Sequence, residues 1–293
     1  MNKEAFNYKM GYTHGGIPFH ADDVFSTALC KLICIKRGES FAVLRGFFPE
    51  NFSSEDDILI YDIGNGKYDH HKERELRESN QIPYAAFGKL WRDFGWILCK
   101  GHDDVWQYID DNFVSSIDAV DNGVPGAKNE FSTHIHNMNP TWDDEDNNVD
   151  RAFDKAVNFA IEVLSLAIDR AISASRAKLA VEDALHRMTY NKVVVLDKYM
   201  PWNTVLIPSD AEFVIYPSSR GGYSLQVVPK DFNTTEAKHP VPGKYWGSKD
   251  LYEIEGCTFC HNTGFLMAFD TVEHAINFVT QFTKVKADWM EEE

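Results

Sequence analysis

The sequence predicts an α/β protein, with a doubly wound parallel-sheet domain followed by a smaller α+β domain. Three observations carry that expectation. In the first half, short apolar runs alternate with helical periodicity, the pattern of strand–helix–strand units around a parallel sheet. A long amphipathic stretch then runs from about 149 to 187. Beyond it the chain turns to short apolar runs separated by turn residues. A boundary near Arg187–Asn191 divides the chain into domains over 1–188 and 189–293, with the long helix as the link.

Taken in order, an early strand ends near His14, and Gly15-Gly16 turns the chain. Phe25, Ala28, Leu29, Leu32 and Ile33 then recur at helical spacing, with Asp22 or Asp23 near the N-cap. Phe41–Arg45 and Ile58–Ile63 read as strands. Pro83 opens a second helix whose stripe is Ala86, Phe87, Leu90, Trp91 and Phe94. A third begins at Asp103 or Asp104 and runs through Val105, Ile109, Phe113 and Ile117 to Gly123-Val124-Pro125. Residues 123–148, rich in Asn, Asp and Pro, read as loop. The stripe Phe153, Val157, Ala160, Ile161, Leu164, Ile168 follows, with a break expected near Ala174-Ser175. Lys192–Leu196, Thr204–Ile207, Phe213–Tyr216 and Tyr223–Val228 read as strands, and Val272, Ala275, Ile276, Val279 and Phe282 as a last helix.

The composition narrows the function. The 293 residues are 44% hydrophobic and 25% charged, which is globular rather than disordered. The net charge of −16 works against a broad grip on long nucleic acid, though not against a short anionic substrate neutralised by metal ions. No apolar run approaches the ~18 residues of a membrane span, and the N-terminus resembles neither a secretory signal nor a transit peptide. A soluble cytoplasmic protein with reduced thiols, acting away from membranes, is expected. The cysteines Cys30, Cys34, Cys99, Cys257 and Cys260 are odd in number and scattered.

The chemistry concentrates in the first half. His14, His20 and Asp22 lie between the early strand and the first helix. Asp62 ends an apolar run, Asp69-His70-His71 follows in one loop, and Asp118 and Asp121 share a helix face at spacing i, i+3. Loops at the carboxyl ends of parallel strands converge on one crevice, so these residues can meet. Gathered carboxylates and imidazoles cost on the order of several kcal/mol per unpaired ion, which a divalent cation relieves. Three Asp and three His suffice for two cations if one aspartate bridges them. Two such metals, roughly 3.5–4 Å apart, activate water and orient phosphate. The O/N donor set suits Mn²⁺, Fe²⁺, Co²⁺ or Zn²⁺.

These residues also carry a resemblance. Thr13-His14-Gly15-Gly16-Ile17-Pro18-Phe19-His20-Ala21-Asp22-Asp23 resembles the opening signature of the MYG1 family. Asp62-Ile63-Gly64, Tyr68-Asp69-His70-His71 and Asp118-Ala119-Val120-Asp121-Asn122-Gly123 resemble its next blocks, and further matches run to Gly264-Phe265. MYG1 proteins are similar to the DHH phosphoesterases, so the resemblance implies a DHH-type metal-binding domain plus a C-terminal substrate-binding domain. It implies a metal-dependent phosphodiesterase, a 3′–5′ exonuclease on short RNA or oligonucleotides, using two divalent ions with Mn²⁺ preferred and Mg²⁺ or Co²⁺ as alternatives. By motif position, His14, His20, Asp22, Asp62, His70 and Asp121 are the implied ligands, with Asp118 the alternative to Asp121. Asp62 is the implied bridging carboxylate and His71 the residue that meets the scissile phosphate. The Gly-Gly-Gly-His signature of many DHH enzymes is missing; Arg220-Gly221-Gly222 and His261 are the substitutes expected to hold phosphate, with Arg220 or Lys230 stabilising the phosphoryl charge.

Rival readings are hydrolysis of a small phosphoanhydride or cyclic dinucleotide, and a non-catalytic metal- or RNA-binding protein. Cys257-Thr258-Phe259-Cys260-His261 fits a haem-attachment pattern, but without export it reads as a buried strand, and no haem is expected. Trp91, Trp96, Trp106, Trp142, Trp202 and Trp246 read as core or interdomain packing, and His134 and His136 as loop residues. The oligomeric state is open, a homodimer being one option.

Overall fold

The computed structural model describes residues 3–47, 58–72 and 74–290. The chain divides into two compact units, Met1–Ser173 and Ala174–Glu293. That division falls inside the long helix, upstream of the boundary expected after residue 188.

In the first unit, strand β1 (Met10–His14) is followed by helix α1 (Ala21–Arg37) and strand β2 (Ala42–Gly46), which pairs parallel to β1. Strand β3 (Ile58–Ile60) pairs parallel to the other side of β1, so the sheet order is β2–β1–β3. Parallel neighbours need a crossover, and the apolar stripe of α1 supplies it: Phe25, Ala28, Leu29 and Ile33 are buried. The chain leaves β1 towards one side and returns on the other. The strand order thus reverses at β1, the topological switch point at which open α/β sheets bind ligands beyond their carboxyl ends.

Helices α2 (Ala86–Phe94), α3 (Asp103–Ile109) and α4 (Ser115–Asp121) follow, α3 and α4 joined by one wide π turn over Asp110–Val114. Helix α5 (Glu130–His136) lies in the segment that the composition presents as loop, and places His134 and His136 in its last turn. The Asn129 side chain accepts a hydrogen bond from the Ser132 backbone N–H at 2.9 Å, so the Asn content marks an N-cap rather than coil.

Helix α6 (Val149–His186) is continuous through Ala174-Ser175, without the expected break. Its Phe153, Val157, Ala160, Leu164 and Ile168 enter the core of the first unit. Val181 and Ala184 enter that of the second.

The second unit is a mixed sheet of β4 (Val193–Val195), β5 (Phe213–Pro217), β6 (Tyr223–Val227), β7 (Cys257–Cys260) and β8 (Leu266–Phe269), in the order β4–β5–β6–β8–β7. Only β4 and β5 run parallel. Alternation sends Val193, Phe213, Ile215, Leu225 and Met267 to one face, covered by Ala275 and Val279 of α8 (Val272–Met290). Val194, Val214 and Tyr216 face the other, with Trp202 and Leu206. Thr204–Ile207, read as a strand from its β-branched residues, is the short helix α7 (Asn203–Leu206) followed by Ile207. No helix among the described residues is long and apolar enough to cross a membrane.

Candidate metal centre

The centre forms at the switch point. His14 is the last residue of β1, and Gly15 must pass close to β2: a Cβ there would stand 2.9 Å from the Gly46 Cα. The Gly16 N–H points at His14 Nδ1, 3.3 Å away, which turns Nε2 inward. His20 is the N-cap of α1, and Asp23 Oδ1 accepts the His20 backbone N–H at 2.9 Å. Asp22 is thereby in the first turn, fully buried, and its two oxygens accept the N–H groups of Ala86 (3.1 Å) and Phe87 (2.7 Å) at the start of α2.

Asp62 stands just beyond β3 with φ +56°, a left-handed conformation uncommon outside glycine. Its N–H donates to the Tyr68 carbonyl at 3.0 Å, closing the loop that carries Asp69-His70-His71 back to the strand end. Asp62 Oδ2 meets His14 Nε2 at 3.2 Å and Oδ1 meets His70 Nε2 at 3.3 Å, so each oxygen faces a different imidazole. His70 Nε2 also lies 3.1 Å from Asp121 Oδ2. His20 is 53% exposed, with Nδ1 3.9 Å from Asp121 Oδ1. Asp62, His70 and His71 form one set of donors able to share a cation, and Asp22, His70 and Asp121 another.

Asp118 and Asp121 part company here. Asp118 is fully buried; Oδ2 accepts from the Arg77 guanidinium at 2.7 Å and Oδ1 from the Gly88 N–H at 3.2 Å. Asp121 faces His70 and His20 instead. His71 is 62% exposed, its Nδ1 2.7 Å from Asp69 Oδ1, which also accepts the His71 N–H at 3.0 Å. That contact fixes the ring and directs Nε2 away from Asp69.

The electrostatics follow from burial. Burial works against protonating His14 and His70, but hydrogen bonds to Asp23 and Asp62 raise His14 to about 10. Bonds to Asp121 and Asp62, with the Asp22 charge nearby, raise His70 to about 11. Burial would raise Asp62, yet the two imidazoles hold it down at about 2. Burial, then the charges of Asp121 and Asp62, lift Asp22 well above the usual carboxylate range. Protons on His14 and His70 thus sit between carboxylates, where a divalent cation would do the same work. The donor set of carboxylate oxygens and imidazoles, with no thiolate in either group, fits a hard or borderline cation.

The phosphate-holding residues expected in the second unit do not stand together. Arg220 is in the β5–β6 turn, while Lys230 follows the far end of β6. At ~3.3 Å per residue the intervening strand separates them by more than one phosphate can span. Leu266 pairs with Gln226, which places His261, just after β7, at the Lys230 end. Lys230 bonds Glu236, and His261 Nδ1 contacts Thr263 Oγ1 at 3.0 Å with its ring against Phe265. Strand β7 has an irregular register; Cys260 is buried, whereas Thr258 and Phe259 are exposed, so it is not the wholly buried strand expected. Trp91, Trp106 and Trp202 are core residues, but Trp142 is 96% exposed.

Sequence reasoning gave Asp23 only a place near the N-cap, Asp69 only membership of its loop block, and Arg77 and Lys89 no role. Asp23 and Asp69 carry a usable signal, each being adjacent to a candidate ligand. Lys89 is buried with Nζ on the Asp69 carbonyl at 2.8 Å, and a lysine inside an apolar helix stripe is the hint. Arg77 lies in the charged run Lys72–Glu78, which reads as a solvated face.

A family model for MYG1 exonucleases, described as "Uncharacterised protein family (UPF0160)", matches residues 12–282. The chain is similar to the MYG1 exonuclease of Homo sapiens, 27% identical over 316 residues, covering 90% of this chain and 83% of that protein. It is 24% identical to a MYG1 protein of Schizosaccharomyces pombe (90% of this chain, 94% of that one) and 25% identical to one of Saccharomyces cerevisiae (87% and 89%). No solved structure matches.

Proposed function

Since the chain belongs to the MYG1 exonuclease family, we propose that it is a metal-dependent phosphodiesterase that removes nucleotides one at a time, 3′ to 5′, from short RNA or oligonucleotides. The observation that carries the reading is Asp62, whose two oxygens face His14 and His70 separately at 3.2 and 3.3 Å, the disposition a carboxylate shared by two cations requires. His14, His20 and Asp62 would hold one ion, and Asp22, Asp62, His70 and Asp121 the other, with Mn²⁺ preferred. The exonuclease names of the mammalian relatives support the substrate class. The parallel order β2–β1–β3, with the donors at its switch point, supports a doubly wound DHH-type domain.

Bound there, divalent cations supply an activated water near neutral pH and neutralise phosphoryl charge. The protein's own residues do the rest. Asp22 and Asp62 hold their orientations through backbone N–H groups and imidazoles. His71, braced by Asp69, presents its outer edge to a phosphoryl oxygen and stabilises the charge that builds there. Within the second unit, the groups proposed to bind phosphate are Arg220 at one end of β6, and Lys230 and His261 at the other.

The test is degradation of a 5′-labelled short RNA with Mn²⁺, with EDTA and Asp62→Ala as controls. A ladder of shortened products, abolished by both, is expected. Near-wild-type turnover by Asp62→Ala at matched metal content would overturn the assignment; no cleavage by metal-loaded protein would turn attention to small phosphoanhydrides.

A further inference from the structure

The first unit contains a cavity of about 880 Å³ that starts at the metal centre. His20 and Asp121 form its wall on that side, and Phe113, Val120 and Phe131 are half-buried faces within it. None of these faces belongs to the donor set. Its volume falls in the ~300–1,000 Å³ range of pockets that enclose small organic ligands.

The cavity is built rather than incidental. Its far wall is α5, fastened to α4 by Asn129, whose Nδ2 donates to Ser116 Oγ at 2.8 Å while its Oδ1 caps the helix through the Ser132 N–H. The Phe113 and Phe131 rings pack with centroids 5.5 Å apart, and Phe25 backs Phe113 edge-on at 5.3 Å. These rings have little freedom to collapse into the space. Around them the lining offers the uncharged amide and hydroxyl of Asn112 and Ser132, the imidazole of His136 and one lysine, Lys128.

Aromatic faces beside neutral donors and acceptors suit a flat heteroaromatic ring, which stacks on one and bonds the other. An anion would find one lysine opposed by Glu130. A ring that must lie next to the metal centre is the base of the nucleotide whose phosphate is there. Resting on the phosphodiesterase reading above, we propose that this cavity is the nucleoside subsite: the base stacks on Phe131 and Phe113 while its phosphate occupies the centre at His20 and Asp121.

Binding of three probes to the full-length Mn²⁺-loaded protein, measured by calorimetry, tests this apart from turnover: adenosine 5′-monophosphate, ribose 5-phosphate and inorganic phosphate. The nucleotide should bind at least about tenfold more tightly than ribose 5-phosphate, the scale of one lost base–aromatic stack. Phe131→Ala should erase that difference and leave the two smaller probes unchanged. Ala127→Trp, on the loop rimming the cavity, fills the space without removing a core side chain and should do the same if Phe131→Ala folds poorly. Equal affinity for nucleotide and ribose 5-phosphate, or a preference that survives both variants, overturns the subsite. RNA cleavage with equal binding of adenosine 5′-monophosphate and ribose 5-phosphate would sink the subsite alone; tighter nucleotide binding without RNA cleavage would sink the activity alone.

Discussion

Arg77 is the residue whose loss should be felt most. It is 1% exposed, with Nε 3.0 Å from Asp110 Oδ2 and Nη2 bridging Asp110 Oδ1 (3.1 Å) and Asp118 Oδ2 (2.7 Å). Its guanidinium also lies 4.1 Å from the centre of the Tyr84 ring. Arg77→Met keeps much of the volume and removes the charge, leaving two buried carboxylates with no cation between them. Breaking a buried ion pair from one side costs about 3–5 kcal/mol. At roughly 2–4 °C per kcal/mol for a unit of this size, the melting transition should fall by roughly 6–20 °C. Calorimetry resolves the transition of the first unit, and fluorescence of the buried Trp91 and Trp106 reports it independently. Burial already holds Asp118 at about 6 with Arg77 beside it; without the guanidinium that carboxyl rises further and takes up a proton, so the deficit should shrink as pH is lowered. Gly88→Ala attacks the same contact from the other side, because a Cβ there would overlap the Asp118 carboxylate and stand 2.5 Å from Arg77 Nη2. A melting temperature within about 2 °C of wild type for Arg77→Met would refute the argument, since the triad would then be worth no more than a surface pair.

Other consequences are more local. Asp121→Ala should abolish tight Mn²⁺ binding while leaving the melting of metal-free protein nearly unchanged, whereas Asp118→Ala should lower that melting first; equilibrium dialysis and a thermal scan of both variants separate ligand from support. In the second unit, Lys192 Nζ (2.9 Å) and His239 Nδ1 (2.7 Å) hold Glu212, and despite the opposing effect of burial these bonds keep its carboxyl below its ordinary value. A depressed carboxylate stabilises the fold above its unfolded pKa, near 4.5, and that contribution disappears as pH falls through the folded value. Acid unfolding of the second unit should therefore be steeper below about pH 5 in wild type than in Glu212→Gln; parallel acid limbs would count against the pair.

What the sequence displays is what depends on local pattern. The end of β1, the apolar stripe of α1 and the position of Asp62 after an apolar run could all be read, and the structure brings His14, Asp62, His70 and Asp121 into contact at those places. Helix α5 was hidden because Asn and Asp favour turns in isolation, although Asn129 here starts a helix that tertiary packing holds. Helix α7 was hidden by β-branched Thr204, Val205 and Ile207, whose strand preference yields to packing around the buried Trp202 and Leu206. The wide turn after α3 leaves no mark at all. Yet Asp110 and Asp118 would be about 80° apart on an uninterrupted helix at ~100° per residue, and one π turn removes most of that offset. Both carboxylates then reach the same arginine. Arg77 itself could not be singled out, because nothing in a charged run says which member turns inward.

The candidate ligand blocks lie far apart in sequence, and one short helix touches three of them. Ala86 and Phe87 give their N–H groups to Asp22, Gly88 gives its own to Asp118, and Lys89 reaches the carbonyl of Asp69. Four consecutive residues at the start of α2 thus touch the first, last and middle blocks of the centre while contributing no ligand. The N-cap position, Ala85, has no side-chain acceptor, so the open N–H groups that every helix start carries are satisfied by the carboxylates of α1 and α4. The partial positive charge of that helix end opposes the mutual repulsion of Asp22, Asp118 and Asp121. Hydrogen bonds to α2 thus fix Asp22 and the supporting Asp118 and Asp69, and a cation would enter a site where the fold already holds the Asp22 carboxylate in place.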